Sequence, residues 1–198
     1  MNVECSDMIT KLKYGNTNTY LFNGFLIDTD YAGTLNAFYK DIKRNNILIT
    51  DIKYVLATHY HPDHIGIIGE LTELGVKLLI MKHQLEYIHF SDKIFSREPR
   101  LNFKPIDESK AVVIGCGESR DFLKSIGIEG EIVPTKSHSD DGAAVILDNG
   151  GCFVGDLEPP EFIGAYENNA ALRADWERIL SHDIGTVYFG HANEKTMR

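Results

Sequence analysis

The chain is poor in cysteine, and the three cysteines that it has lie far apart. Cys5, Cys116 and Cys152 are odd in number, and no Cys-x-x-Cys pair is present. The sequence therefore predicts no disulfide framework. Free thiols are typical of a reducing compartment, so we expect a cytoplasmic protein. Cys152 stands within an apolar run, where we expect it to be a small buried residue.

Long apolar runs are also lacking. No stretch approaches the roughly 18 apolar residues that a membrane-spanning helix needs. The first seven residues, Met1 to Asp7, include two acids and lack the apolar centre of a secretion signal. We therefore expect neither a membrane partner nor export.

Positive charge is scarce and scattered. The chain has 20 lysines and arginines against 29 aspartates and glutamates, which gives a formal net charge of -9. Binding to a nucleic-acid backbone depends on clustered lysine and arginine, so no nucleic-acid partner is predicted. A small-molecule substrate remains, and bound divalent cations would offset part of the charge locally. The oligomeric state is left open, with a homodimer as one alternative.

The length of 198 residues predicts one domain spanning residues 1–198. Apolar patterning indicates four helices, which are Thr34–Arg44, Asp63–Leu74, Arg120–Ile126 and Ala170–Leu180. It also indicates ten strands, which are Met8–Leu12, Thr19–Phe22, Phe25–Asp28, Lys53–Thr58, Val76–Met81, Ala111–Ile114, Glu131–Thr135, Ala143–Leu147, Gly151–Val154 and Thr186–Phe189. Residues 82–107 form the least regular segment, in which we expect most of the phenylalanines to pack onto the body of the protein.

The order of these elements indicates two mixed β-sheets with helices on their outer faces. Asn23-Gly24 and Asn149-Gly150 are hairpin turn signals, which require antiparallel strand pairs. A purely parallel, doubly wound sheet is therefore excluded. The sequence predicts an α/β fold in which a core of two sheets is flanked by helices.

The densest cluster of chemically active side chains is His59-Tyr60-His61-Pro62-Asp63-His64. A helix would spread these positions around its axis, and a strand would send neighbours to opposite faces. A loop after the strand Lys53–Thr58 can instead curl so that the imidazoles and the carboxylate meet. Burying four such groups for packing alone would be costly. The cluster therefore predicts a metal site.

Three further metal-binding side chains follow predicted strands: His138, Asp156 and His191. Taken alone, each would be an ordinary surface, core or turn residue. Because strand ends meet at one edge of a sheet, we expect them to join the loop of His59. Five histidines and two aspartates exceed one tetrahedral zinc site, but they suffice for two ions that share Asp156. Imidazole suits zinc, iron, copper and nickel, and carboxylates extend the choice to manganese.

These motifs resemble the metallo-β-lactamase superfamily. The pattern His-x-His-x-Asp-His stands at His59–His64, and Gly155-Asp156 and Gly190-His191 match later motifs of the family. Two departures, Ile67 after Gly66 and Ser137 before His138, affect loops rather than ligands. The resemblance implies an αββα sandwich with a metal site like those of glyoxalase II and lactonases. One metal would be held by His59, His61 and His138, the other by Asp63, His64 and His191, with Asp156 bridging them.

By this resemblance the expected activity is hydrolysis by a hydroxide that bridges two divalent ions, expected to be Zn²⁺, with iron or manganese as alternatives. The bond cleaved would be an ester, thioester, lactone or amide. Asp63 and Asp156 are the predicted catalytic residues, with Asp63 orienting the nucleophile and accepting its proton. Asp28 either supports a histidine N–H or is a turn residue.

Substrate contacts are predicted from the two segments that could cover the metals, residues 82–107 and 157–169. The candidates are His83, Phe162 and Tyr166. Lys136 stands two residues before His138 and could reach a substrate anion, but we expect it to be an ordinary solvated lysine.

Three other functions are compatible with these residues. A single-iron enzyme that oxidises persulfides would bind one metal and consume oxygen. A nuclease or phosphodiesterase would require a basic groove, for which the sequence gives little support. A metal-binding sensor without catalysis would be expected to have lost a ligand, and none is lost here.

Overall fold

The protein is described by a computed structural model that covers residues 8–165 and 169–197. The six α-helices within these residues are α1 (Leu35–Arg44), α2 (Pro62–Ile65), α3 (Ile68–Glu73), α4 (Asp92–Phe95), α5 (Ser119–Ser125) and α6 (Ala170–Ile179). The strands are β1 (Thr10–Leu12), β2 (Thr19–Phe22), β3 (Phe25–Ile27), β4 (Tyr54–Leu56), β5 (Lys77–Met81), β6 (Val112–Ile114), β7 (Gly130–Pro134), β8 (Ala143–Leu147), β9 (Gly151–Gly155), β10 (Thr186–Phe189) and β11 (Lys195–Thr196).

The N-terminal sheet contains six strands in the order β1-β2-β3-β4-β5-β6. The first three strands pair antiparallel, and the turn at Asn23-Gly24 joins β2 to β3. Both turn residues have positive φ, of 46° and 75°, as a tight hairpin turn requires. Strands β3 to β6 pair in parallel. This sheet is therefore mixed, as the sequence predicted.

The C-terminal sheet contains five strands in the order β11-β10-β9-β8-β7. Strands β7, β8 and β9 are antiparallel, β9 and β10 are parallel, and β10 pairs antiparallel with β11. The two-residue strand β11 was not predicted, because nothing in Lys195-Thr196 distinguishes it from a polar loop.

Alternating side chains divide each sheet into an inner and an outer face. In β3, Phe25 and Ile27 pack between the sheets, whereas Leu26 faces outward. In β9, Phe153 points inward, whereas Cys152 and Val154 point outward. Cys152 is fully buried, which confirms that prediction. Both faces of both sheets are thus covered.

Helices form the two outer layers. Phe38 of α1 and Ile68 and Leu71 of α3 pack on the outer face of the N-terminal sheet. Leu172 and Trp176 of α6 pack on the outer face of the C-terminal sheet. The predicted αββα sandwich of two mixed sheets flanked by helices is therefore confirmed.

The predicted helix Asp63–Leu74 is in fact two helices, α2 and α3, and the prediction of one continuous helix was wrong. Gly66 donates its N–H to Asp30 O at 2.9 Å. A Cβ at this position would lie 2.1 Å from Ala32 N. This close approach fixes the break, since only glycine leaves room for the neighbouring backbone.

Within the described residues, no helix combines the length and the apolar character needed to cross a membrane.

The aromatic stack between the sheets should carry a large share of the stability. Phe153 stacks on Phe22 and Tyr188 with ring centroids 5.1 and 4.8 Å apart, and it is 1% exposed. Phe153→Ala should lower the free energy of unfolding by about 3–5 kcal/mol. Phe90→Ala is the matched control, because Phe90 is 58% exposed and its loss should change stability by less than about 0.5 kcal/mol. Equal losses in denaturant titrations would contradict this assignment of the core.

Candidate metal centre

Four strand ends bring the predicted metal-binding residues together. His59 and His61 lie between β4 and α2, and His138 follows β7. Asp156 directly follows β9, and His191 lies two residues after β10. Pro62 begins α2, where its missing N–H costs nothing, so the chain turns from the loop into the helix that carries Asp63 and His64. The side chains fall into two groups.

The first group consists of His59, His61 and His138. His59 Nε2 lies 2.9 Å from His61 Nδ1, and His138 Nε2 lies 3.3 Å from the same atom. Three ring nitrogens from two loops thus meet at one point. His59 is buried, whereas His138 reaches the surface.

The second group consists of Asp63, His64, His191 and Asp156. His191 Nε2 lies 3.0 Å from Asp63 Oδ2, and His64 Nε2 lies 3.3 Å from Asp156 Oδ2. His64 is fully buried, but more than a third of each of the Asp63 and His191 side chains is exposed. This group is therefore closed from below and open to solvent above.

Asp156 connects the two groups. Its Oδ2 lies 3.4 Å from His191 Nε2 in one group and 3.8 Å from His138 Nε2 in the other. Its second oxygen, Oδ1, is buried and has no hydrogen-bond partner among the described residues. A buried carboxylate oxygen without a partner is unfavourable unless a cation satisfies it.

Electrostatic effects differ sharply among these histidines. Burial, reinforced by the neighbouring imidazoles, holds the pKa of His59 well below its usual value. Burial likewise lowers the pKa of His138. Burial also acts to lower the pKa of His64, but the carboxylates of Asp28 and Asp156 outweigh it and raise that pKa to about 10. The neutral imidazole, which is the form that binds metals, is thus favoured for His59 and His138.

Asp28 orients the buried histidines from beneath the site. Its Oδ2 lies 3.0 Å from His64 Nδ1, which leaves His64 Nε2 to face Asp156. Thr58 donates both its N–H and its hydroxyl to the Asp28 carboxylate, at 2.6 and 2.9 Å. The Thr58 oxygen can then accept from His59 Nδ1 at 3.2 Å, so that His59 Nε2 carries the free lone pair. Of the two interpretations of Asp28, the contact with a histidine nitrogen is therefore the one observed.

Asn18 holds the loop that carries His191. Its side-chain amide donates to Phe189 O at 2.9 Å and to Ala192 O at 2.8 Å, and its N–H donates to Gly190 O at 2.7 Å. Gly190 has no room for a side chain, because a Cβ there would lie 2.5 Å from Asp156 Oδ1 and 2.9 Å from His64 Cε1. The glycine before His191 is thus required by the metal-binding side chains themselves.

Two buried aspartates hold the loop around His138. Asp175 Oδ2 accepts the N–H groups of Lys136 and Ser137, both at 2.8 Å. Asp141 accepts from Tyr60 N at 2.6 Å and from the Ser139 hydroxyl. Sequence reasoning missed Asp141 and Asp175, because an isolated aspartate in a loop or on a helix has no distinguishing neighbour.

Two cavities share His138, and a third borders His191. The Lys136 cavity, of about 340 Å³, is lined by Tyr60, His61, Tyr87, Phe90, Lys136, His138, Ser139, Asp140 and Asp141. The Leu157 cavity, of about 350 Å³, is lined by His138, Gly155, Asp156, Leu157, Glu158, Pro159, Phe162, Phe189, His191 and Ala192. His138 borders both cavities, so the metal-binding groups lie where the two meet.

The predicted substrate contacts are placed differently. Phe162 lines the Leu157 cavity and is 41% exposed. His83 Nε2 lies 3.0 Å from Gly142 O, and its other nitrogen lies 3.9 Å from Cys116 Sγ, so its ring is held by neighbouring loops. Tyr166 lies outside the described residues. Substrate contact by all three stays a prediction.

The segment 82–107 does contribute to the site, but through other residues. Phe95 and Phe103 stack on each other at 4.1 Å and pack onto the body, as expected for most of these aromatics. Phe90 differs, because its ring lies at the mouth of the Lys136 cavity, 6.0 Å from the His61 ring. Tyr87 lines the same cavity.

The donors fit a metal pair. Ring nitrogens of three histidines gathered at one point, and a shared carboxylate with one unpartnered buried oxygen, both match what bound cations require. Residues able to bind two metal ions therefore lie together at one edge of the sandwich. Their individual roles as ligands stay predictions.

Comparison with known proteins agrees with this geometry. The flavo-diiron protein FprA2 of Clostridium acetobutylicum is 28% identical over 120 residues, which cover 59% of this chain and 29% of that protein. A curated relative from Synechocystis, described as a putative diflavin flavoprotein, matches over 21% of its length. This chain thus matches less than a third of each of these curated relatives.

Solved structures show the same fold. The metallo-beta-lactamase family protein TTHA1429 from Thermus thermophilus has a TM-score of 0.70 and 19% identity, with 96% of this chain and 74% of that chain covered. TTHA1623, solved in a di-iron-bound form, has a TM-score of 0.65 and 21% identity, with 96% and 94% covered. The model of the metallo-beta-lactamase superfamily matches residues 12–191. This chain belongs to the metallo-beta-lactamase superfamily.

Proposed function

We propose that this protein is a hydrolase that uses two divalent metal ions to cleave an ester, thioester, lactone or amide bond in a small molecule. The observation that carries the proposal is the position of Asp156. Its Oδ2 lies within 3.8 Å of histidine nitrogens from both groups, as a carboxylate shared by two ions would.

The first metal would be held by His59, His61 and His138, and the second by Asp63, His64 and His191, with Asp156 shared between them. Five imidazoles against two carboxylates favour zinc or iron over magnesium or calcium, which prefer oxygen ligands. We propose zinc as the resident metal.

When bound, the metal pair would supply Lewis acidity for the carbonyl group and would lower the pKa of an attacking water. Asp63 supplies a proton acceptor, because its carboxylate is at the open face of the second group. The Asp28 carboxylate fixes the orientation of His64, and the Thr58 hydroxyl that of His59. The flanking cavities are large enough for a small molecule on either side of His138.

A second candidate is a redox reaction at an iron centre. It is favoured by the name of the flavo-diiron relative and by the di-iron-bound form of TTHA1623. The relative is matched over 29% of its length, so its activity as a whole is no guide to this chain. Metal analysis separates the two functions, because the redox candidate requires iron and consumes oxygen, whereas the hydrolase retains activity with zinc under anaerobic conditions.

The remaining alternatives are less well supported. A nuclease would need a cluster of basic residues at the centre, but Lys136 is the one lysine or arginine that lines the two cavities beside His138. Lys11 and Lys13 line a further cavity next to His191, where Lys11 is paired with Glu194. A sensor without catalysis would not need an exposed His191 in the wall of the Leu157 cavity. We also propose a cytoplasmic location, with a homodimer as one alternative for the oligomeric state.

Metal stoichiometry tests the sharing of Asp156. Protein purified without chelator should contain about two zinc or iron ions per chain. Asp156→Ala should bind fewer than one ion per chain, because both sites lose a ligand. Asp121→Ala, on the exposed surface of α5, is the matched control and should retain the wild-type content. Elemental analysis that found full metal content in Asp156→Ala would exclude the shared carboxylate.

Hydrolysis itself is tested with thioester, lactone, β-lactam and phosphodiester substrates. His138→Ala should lower kcat/KM for the best substrate by about a hundredfold or more, since first-group geometry is lost. His89→Ala, a histidine outside the centre, should leave the rate unchanged. Hydrolysis by chelator-treated protein at the wild-type rate would refute a metal-dependent mechanism.

A further inference from the structure

We propose that the substrate carries two different arms: a negatively charged group that Lys136 binds, and an apolar group that occupies the Leu157 cavity. The proposal rests on the hydrolytic function proposed above and names the substrate class of that site. Each arm is argued from the chemistry of one cavity.

The Lys136 cavity has one lysine and two of the metal-binding histidines in its lining. The backbone of Lys136 is held by the buried Asp175 carboxylate at 2.8 Å, and the side chain lines the cavity together with His61 and His138. Lys136 Nζ forms no ion pair with a carboxylate in the part of the chain that the structure describes. The positive charge of Lys136 is therefore available to a substrate anion in the cavity that His61 and His138 also line.

Two carboxylates also line this cavity, but they are not equivalent. Asp141 is buried and already accepts from Tyr60 N and the Ser139 hydroxyl. Asp140 is exposed, so it would repel an anion bound at Lys136. Lys136 acts in the opposite sense, and the proposed metal ions would also draw negative charge to this side of His138.

The aromatic side chains that line the Lys136 cavity indicate which kind of anionic group fits there. Tyr87 and Phe90 both come from the segment 82–107 and stand across from the loop of His138. Aromatic walls favour a short aliphatic or planar linker over a heavily hydrated one. We therefore infer a carboxylate on a short carbon chain.

The Leu157 cavity has the opposite character. Leu157, Pro159, Phe162 and Phe189 give it an apolar lining on the far side of His138. Trp176 of α6 donates its indole N–H to Glu158 O at 2.8 Å, which fixes the start of this wall. An alkyl or aryl group bound here would leave the reacting carbonyl next to the metal-binding groups.

Binding can be measured without turnover. The probe is 3-(hexylthio)propionate, a thioether that cannot be hydrolysed, and its partner is the methyl ester of the same acid. In calorimetric titrations of zinc-loaded protein, the carboxylate should bind about threefold to fivefold more tightly than the methyl ester, as expected for one partly exposed ion pair.

Variants of the charged residues show which side chain causes the preference for the acid over the methyl ester. Lys136→Met should reduce the difference between acid and ester, whereas Asp140→Asn should increase it. Lys124→Met, an exposed lysine on α5, is the matched control and should behave as the wild type does. An unchanged preference in Lys136→Met would overturn the assignment of the anionic arm.

Chain length tests the apolar arm. Replacing hexyl by ethyl should weaken binding by about tenfold or more, given the contribution of each buried methylene. Phe162→Ala should reduce this dependence, whereas Phe90→Ala, in the other cavity, should retain it. A wild-type protein that binds both chain lengths equally would overturn the assignment of the Leu157 cavity.

The hydrolytic function and the two-armed substrate can be refuted independently of each other. The matching substrate is the thioester of hexanoic acid with 3-mercaptopropionate. Tight binding of the thioether acid without cleavage of this thioester, or of any substrate in the panel, would refute hydrolysis but not the two arms. Cleavage that is equally efficient for the thioester and its methyl ester would refute the anionic arm but not hydrolysis.

Discussion

Histidine nitrogens that lie 2.9 and 3.3 Å apart are placed where one cation can bind them together, and without a cation only N–H···N hydrogen bonds can link them. The rest of the structure depends on this constraint. The imidazoles of His59, His61 and His138 come from two different loops, and their ring nitrogens meet at one point. The fold holds them there, and bound metal would repay the cost of doing so.

The support for this arrangement comes from polar residues outside the two metal-binding groups. Asn18 fixes the His191 loop, and Asp175 fixes the loop before His138. Trp176, which follows Asp175 on α6, donates its indole N–H to Glu158 O in the segment that lines the Leu157 cavity. Two adjacent residues of one helix thus position a metal-binding loop and a substrate wall, which links metal binding to the shape of the Leu157 cavity.

Much of this could be predicted from the sequence, for identifiable reasons. Hairpin turns at Asn-Gly pairs and the dense motif at His59–His64 are local signals, and they led to the mixed sheets and the metal-binding groups. The break at Gly66 could not be predicted, because it depends on the backbone of Asp30–Ala32 approaching from another element. Asp141 and Asp175 were missed for the same reason, since their partners are distant in sequence.

The central claim is that two metal ions share Asp156. The most direct test is a crystal structure of the metal-loaded protein with anomalous scattering recorded at the absorption edge of its metal. The account predicts two anomalous peaks per chain, roughly 3.5–4 Å apart, with the Asp156 carboxylate contacting both. A single peak beside His59, His61 and His138, with Asp156 turned away from it, would contradict the account.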